Sequence, residues 1–105
     1  MNKDERRIAP RVSISLPITF ETPDGEIHRG TIENLSESGM LVVAESDVPL
    51  ESNVRILFGN FEENRSFELQ GHVVRSSPLG EYGVAFIEVN EDAREIVRKA
   101  MMREL

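Results

Sequence analysis

The chain has 105 residues, with 12 Lys and Arg against 19 Asp and Glu and an apolar fraction of 39%, enough for one domain around one modest core. A net charge of −7 argues against a binder of long nucleic acid, whose phosphate backbone dominates affinity. The absence of cysteine rules out a disulfide framework or a thiolate site. No apolar run approaches the roughly 20 residues that span a bilayer, and "MNKDERR" lacks the apolar stretch of a secretory leader, so the expected setting is the cytoplasm.

Residues 1–11 form a basic arm: Lys3, Arg6, Arg7 and Arg11 stand against only Asp4 and Glu5. Pro10 pushes Ala9 out of helical space, so the arm is expected to be extended and flexible. From Val12 to Phe20 the apolar residues fall at every second position, which predicts a half-buried strand. Pro17 lies inside it and, having no N–H for a ladder, belongs at an edge or a bulge. "TPDG" (Thr22 to Gly25) predicts a turn, and a second strand runs from about Glu26 to Asn34. "SESG" turns the chain again into a short buried strand, Met40 to Ala44. Residues 45–52, acidic and containing Pro49, read as a loop. A fourth strand follows at Asn53 to Gly59 and a long fifth at Ser66 to Ser76, with Gly71 marking a bulge or bend. "SPLG" leads to a sixth strand, Glu81 to Val89.

After Asn90 the period changes. Ala93, Ile96, Val97, Ala100 and Met101 recur at spacings of three and four, predicting a helix at about 91–103 with Asn90 as its N-cap. Met101 and Met102 are expected to complete its packing. Six strands and one helix fit an all-β fold: a six-stranded antiparallel β-barrel with a C-terminal α-helix, since closure removes the edges of an open sheet. The domain spans residues 12–105.

Two polar clusters exceed what such a barrel needs. One is Arg6, Arg7 and Arg11; the other is "NLSESG", with Asn34, Ser36 and Gly39. Arginine suits guanine and phosphate together, because its planar fork matches the O6/N7 edge of guanine, pairs with phosphate oxygens and stacks on a purine face. Taken alone, however, the arm also reads as a solvated basic leader. The second cluster also reads as ordinary turn chemistry, with Asn and Ser bonding nearby backbone and Gly tolerating positive φ. His28 and His72 lack metal-ligand spacing, Arg75 reads as a solvated strand arginine, with a position facing the site as the alternative, and no carboxylate is paired with a nucleophile.

In order and in this strand context, "RIAPR" (Arg7 to Arg11) and "NLSESG" (Asn34 to Gly39) fit RxxxR followed by [D/N]xSxxG. That pattern resembles the PilZ domain, and "GHVVR", "YGVAF" and the terminal helix extend the resemblance over nearly the whole chain. The resemblance implies a receptor for cyclic di-GMP without catalytic activity or further cofactor, monomeric or weakly dimeric. Arg7 and Arg11 would grip guanine and phosphate, Asn34 and Ser36 would bond base or phosphate, and Gly39 would keep the turn open. Arg6 adds a cation that in the family goes with two stacked ligands. Where the family often has aspartate, Asn34 can donate as well as accept. The signal would pass through the arm to an effector protein in motility, biofilm or exopolysaccharide, or virulence control. The alternatives are a PilZ-like adaptor that binds no nucleotide, a small barrel for single-stranded nucleic acid, which wants a basic groove with aromatic platforms, and an enzyme acting on cyclic nucleotides.

Overall fold

The computed structural model describes residues 11–45, 47–60, 65–87 and 89–103. Arg6 and Arg7, with the rest of the arm at 1–10, lie outside the described residues. The elements are β1 (Val12–Glu21), β2 (Ile27–Leu35), β3 (Gly39–Ala44), β4 (Asn53–Asn60), β5 (Arg65–Ser76), β6 (Glu81–Ile87) and α1 (Glu91–Arg103). The strands close into a barrel in the order β1, β2, β3, β6, β5, β4, and every neighbouring pair is antiparallel. Closure joins two meanders through the β3–β6 and β1–β4 pairings, both of which link residues distant in the chain.

Alternation decides which side chains fill the barrel. In β1, Ile14, Ile18 and Phe20 are buried while Ser13, Ser15 and Pro17 are exposed. Val12 and Leu16 pack against the core from partly buried positions. Ile32, Leu35 and Ile56 are wholly buried, each such side chain contributing about 1.5–3 kcal/mol of apolar transfer. Pro17 stands outside the short β1–β4 pairing, which begins at Thr19, and beside a register shift between Ser13 and Leu16. Its missing N–H therefore falls where β4 offers no partner.

Residues 47–52, in the acidic connection between β3 and β4, place a core residue at one end of the barrel. Val48 is buried, and its N–H donates to Tyr82 Oη at 3.2 Å. Gly71 is corrected by the structure. It pairs in regular register with Val54 and Phe86, and a Cβ there would come within 2.5 Å of Val84 Cγ1 and 2.9 Å of Ile56 Cδ1. The position demands glycine because the core leaves no room, and the β5 bulge lies further on, between Val73 and Arg75.

In α1 the Asn90 Oδ1 accepts the Ala93 N–H at 2.8 Å, the expected N-cap, and Glu91 and Asp92 occupy the first turn, where the helix dipole favours them. Ala93, Val97 and Met101 form the buried stripe, and the helix packs on β5. Met102 does not finish that packing. One residue past Met101 it points about 100° further round the helix and is 68% exposed.

The β1–β2 turn forms as its residues require. Gly25 takes φ 88° and its N–H donates to Thr22 O at 2.9 Å. Thr22 Oγ1 donates to Asp24 Oδ1 at 2.5 Å, the Glu26 N–H reaches the same oxygen at 3.2 Å, and His28 stacks on Phe20 with ring centroids 5.3 Å apart. The Thr22 hydroxyl, then the Glu26 N–H, hold the Asp24 carboxyl below its ordinary value of 3.8. A carboxyl depressed on folding contributes stability above its unfolded value, and that contribution is lost as pH falls through the folded value. Asp24→Asn should therefore melt below the parent at pH 7. The gap between the two melting curves should close in acid below pH 3.8; a gap that is constant with pH would show that the Asp24 charge is not involved.

Candidate ligand-binding site

The site is built at the barrel end where β2 turns into β3. Glu33 is an extra residue of β2 relative to β3: Ile32 pairs with Val42 and Asn34 with Leu41. This bulge turns both Glu33 and Asn34 outward between the buried Ile32 and Leu35, as bulges re-aim side chains elsewhere. The turn that follows is held by one hydroxyl. Ser36 Oγ accepts the N–H groups of Ser38 and Gly39 at 3.2 Å each, donates to Gly39 O at 3.3 Å and lies 3.1 Å from Ser38 Oγ. The Ser36 N–H closes the turn on Gly39 O at 2.9 Å. Ser36 is buried, and its hydroxyl serves its own turn.

Gly39 has a different reason from the one its motif position suggests. It is the first residue of β3, paired with Ala85, and its φ is not positive. A Cβ there would strike the Val84 carbonyl oxygen. Glycine lets β3 and β6 meet at the mouth of the turn, and Ser38 O then accepts the Phe86 N–H at 2.9 Å. From the other side, Glu37 Oε2 meets Arg98 Nε at 3.3 Å, which ties the turn to α1 and holds the guanidinium more firmly protonated than an ordinary arginine.

Above these strands lies a pocket of about 140 Å³ whose lining includes Arg11, Asn34, Ser36, Gly39 and Arg75. Four of the six residues singled out in the sequence thus converge on one cavity, and the other two, Arg6 and Arg7, lie outside the described residues. Arg75, which the sequence leaves between a solvated strand position and one facing the site, is both exposed and part of the pocket lining. The signal for it is a bulge. Val73 pairs with Val84 and Arg75 with Gly83, so Val74 is an extra residue, and Val74 and Arg75 both stand outside. A larger concavity of about 840 Å³ lies on another part of the barrel, lined by Pro17, Thr19, Arg29, Val43, Glu45 and Leu57 among others. Among the described residues its one arginine, Arg29, is accompanied by the carboxylate of Glu45, which suits a compact dianion poorly.

The family model of the PilZ domain matches residues 5–103. The chain belongs to the PilZ domain family. No curated protein sequence matches it. Solved structures share the barrel of this PilZ domain. The PilZ domain of CeSA from a cellulose-synthesizing bacterium aligns with TM-score 0.70 and 18% identity, over 90% of this chain and 96% of that one. The PilZ domain of YcgR from Escherichia coli with c-di-GMP aligns with TM-score 0.71 and 13% identity, over 94% and 91%. PlzA from Borreliella burgdorferi, in complex with c-di-GMP, gives TM-score 0.72 and 18% identity, over 90% of this chain and 40% of that one. At such identities these likenesses show the fold. No described helix of the PilZ domain is long and apolar enough to cross a membrane.

Proposed function

We propose that this PilZ domain is a cytoplasmic receptor for cyclic di-GMP that closes its N-terminal arm over the ligand and passes the change to an effector protein. One observation carries the reading: the second motif and the last arginine of the first, 23 residues apart at Arg11 and Asn34, line the same pocket. Two relatives of the same fold are described with c-di-GMP, which supports the choice of ligand.

The pocket's size bears on how the ligand is held. About 140 Å³ is small beside the roughly 300–1,000 Å³ of sites that bury a whole drug-sized molecule. It seats part of a cyclic dinucleotide, a base or a phosphate edge, and the remainder must be gripped from outside. Arg7 and Arg6 are assigned to that task, with Arg11 at the pocket itself and the Asn34 amide free to donate or accept. Ordering each arm residue costs about 1–2 kcal/mol, while hydrogen bonds to charged groups return about 1.5–3 kcal/mol each, so closure needs several arginine contacts at once. The domain acts as a receptor and not as an enzyme.

Calorimetric titration, with the mass of the complex measured alongside, tests the reading. Cyclic di-GMP should bind at micromolar concentrations or below as one or two molecules per chain, while GTP should give no comparable heat. No heat with cyclic di-GMP would leave the adaptor that binds no nucleotide as the better account.

A further inference from the structure

The barrel has a second end, and its surface is unlike that of the first. Because every neighbouring pair of strands is antiparallel, β1, β3 and β5 all finish at the end opposite the Ser36 turn. The connections at 22–26, 45–52 and 77–80 gather there. They hold Asp24, Glu26, Glu45, Asp47 and Glu51, all exposed, and no Lys, Arg or aromatic residue. Each also brings an aliphatic side chain into solvent: Ile27, 57% exposed, just after the first, Leu50, 51%, in the second and Leu79, 81%, in the third. The other large apolar side chains exposed among the described residues, Val74 and Met102, stand on β5 and α1. A single exposed aliphatic needs no explanation, but one from each of three connections at the same end, within an acidic surround, has the make-up of a contact surface.

These connections are fixed before any partner arrives. Each carries an exposed proline, Pro23, Pro49 or Pro78, which restricts the backbone. Buried Val48, bonded to Tyr82 Oη, anchors the second, and the Glu51 N–H and Ser52 O meet Val73 O and N–H at 2.9 Å each. The Ala44 N–H donates to Gly80 O at 2.9 Å, which ties the third to the end of β3. Leu50 and Leu79 are thus presented from ordered backbone, and docking against them costs less ordering entropy.

Charge decides the occupant. Nucleic acid and an anionic membrane face would each bring like charge against five carboxylates, and a second copy in a two-fold contact would set the same five against themselves. A basic protein segment is attracted. Connections punctuated by proline offer no strand edge for β-addition, and without aromatics they form no groove for a polyproline helix, so of the recurring modes of peptide recognition the amphipathic helix fits. We infer that this end of the barrel is a docking surface for a basic amphipathic helix of a partner protein. Its apolar stripe meets Ile27, Leu50 and Leu79, and its Lys and Arg side chains meet the surrounding carboxylates. The inference goes beyond the proposed ligand and does not rest on it.

The test is titration of the isotopically labelled full chain with a synthetic Leu/Lys helix of about five turns, its leucines spaced by three and four. A peptide of the same composition with the stripe scrambled, and a Leu/Glu counterpart, serve as controls. Amide shifts should saturate and concentrate at Glu26 and Ile27, Val48, Leu50 and Glu51, and Leu79 to Glu81. The scrambled peptide should bind at least tenfold more weakly and the acidic one not at all. Leu79→Ser, at an exposed position, should melt with the parent and weaken binding of the basic helix about tenfold. Glu45→Gln with Asp47→Asn should weaken it and flatten its dependence on salt. Equal binding of the scrambled peptide, shifts gathered elsewhere, or Leu79→Ser within twofold of the parent overturns the inference. A dimer of the chain alone that Leu79→Ser abolishes also overturns it, with a second copy as the occupant. A chain that binds the helix but not cyclic di-GMP overturns only the proposed function; the reverse overturns only this inference.

Discussion

Arg11→Ala should lower the affinity for cyclic di-GMP roughly 30- to 150-fold. The figure corresponds to about 2–3 kcal/mol, within the range of one or two hydrogen bonds between charged partners, at about 1.4 kcal/mol for each factor of ten. Arg11 is exposed and lines the pocket, and it forms no ion pair with a described residue, so its removal deletes a ligand contact without stranding a buried carboxylate. The melting temperature of the ligand-free variant should stay within a degree or so of the parent, as for most surface substitutions. Salt adds a second signature. A guanidinium meeting a dianion at an exposed pocket is screened as ionic strength rises, so the gap between Arg11→Ala and parent should narrow in high salt. A variant that binds as well as the parent in a calorimetric titration would remove the arm from the binding account.

Gly39→Ala should damage fold and site together. The new Cβ is driven into the Val84 carbonyl oxygen, and a backbone carbonyl cannot rotate away as the end of a long side chain can. Gly39 pairs with Ala85 and Met40 with Val84, so relief comes only by parting β3 from β6 at the mouth of the turn. Overpacking of this kind typically costs about 1–3 kcal/mol. At roughly 4–8 °C per kcal/mol for a domain near this size, the melting temperature should fall by about 5 °C or more. The strands that part also carry much of the pocket lining, Met40, Leu41, Gly83 and Ala85, so affinity should fall with stability. Gly83→Ala is the contrast: the three atoms nearest its Cβ all belong to the Arg75 side chain, which is exposed, and the substitution should spare the melting temperature. If Gly39→Ala melts with the parent but loses ligand, the glycine serves ligand approach and not the β3–β6 contact.

Much of this architecture is written in local pattern. Period-two alternation in β1, the turns at Thr22–Gly25 and Ser77–Gly80, and the change of period after Asn90 each depend on neighbours in the chain, and each element stands within a residue or two of its expectation. Bulges are a different matter. Glu33 and Val74 are single extra residues opposite a partner strand, and nothing in their own identity announces it; the information lies in the register of β2 on β3 and of β5 on β6. Alternation alone therefore could not decide whether Arg75 faces the site. Strand glycines mislead in a related way, because a bulge and a crowded core call for the same residue. Gly71 looked like the bulge and proved to be the crowded position. Asn34, Ser36 and Gly39 were legible as a cluster through their motif, but their separate duties were not. The Ser36 hydroxyl is committed to Ser38 and Gly39, and Gly39 is a strand residue. Both facts follow from which backbone atoms arrive beside them, and sequence spacing does not carry that.

The central claim is that a bis-guanylate dianion is received on the outer face of the β2, β3, β6 and β5 wall, beside the turn at Ser36. Amide chemical-shift mapping on isotopically labelled protein during addition of cyclic di-GMP tests it most directly. The account predicts saturable shifts that concentrate at Arg11, Asn34 to Gly39, Val74 and Arg75, and Gly83 to Ala85, with the face around Pro17, Arg29 and Leu57 left quiet. Shifts that gather on that other face, or a spectrum unchanged at saturating nucleotide, would contradict it.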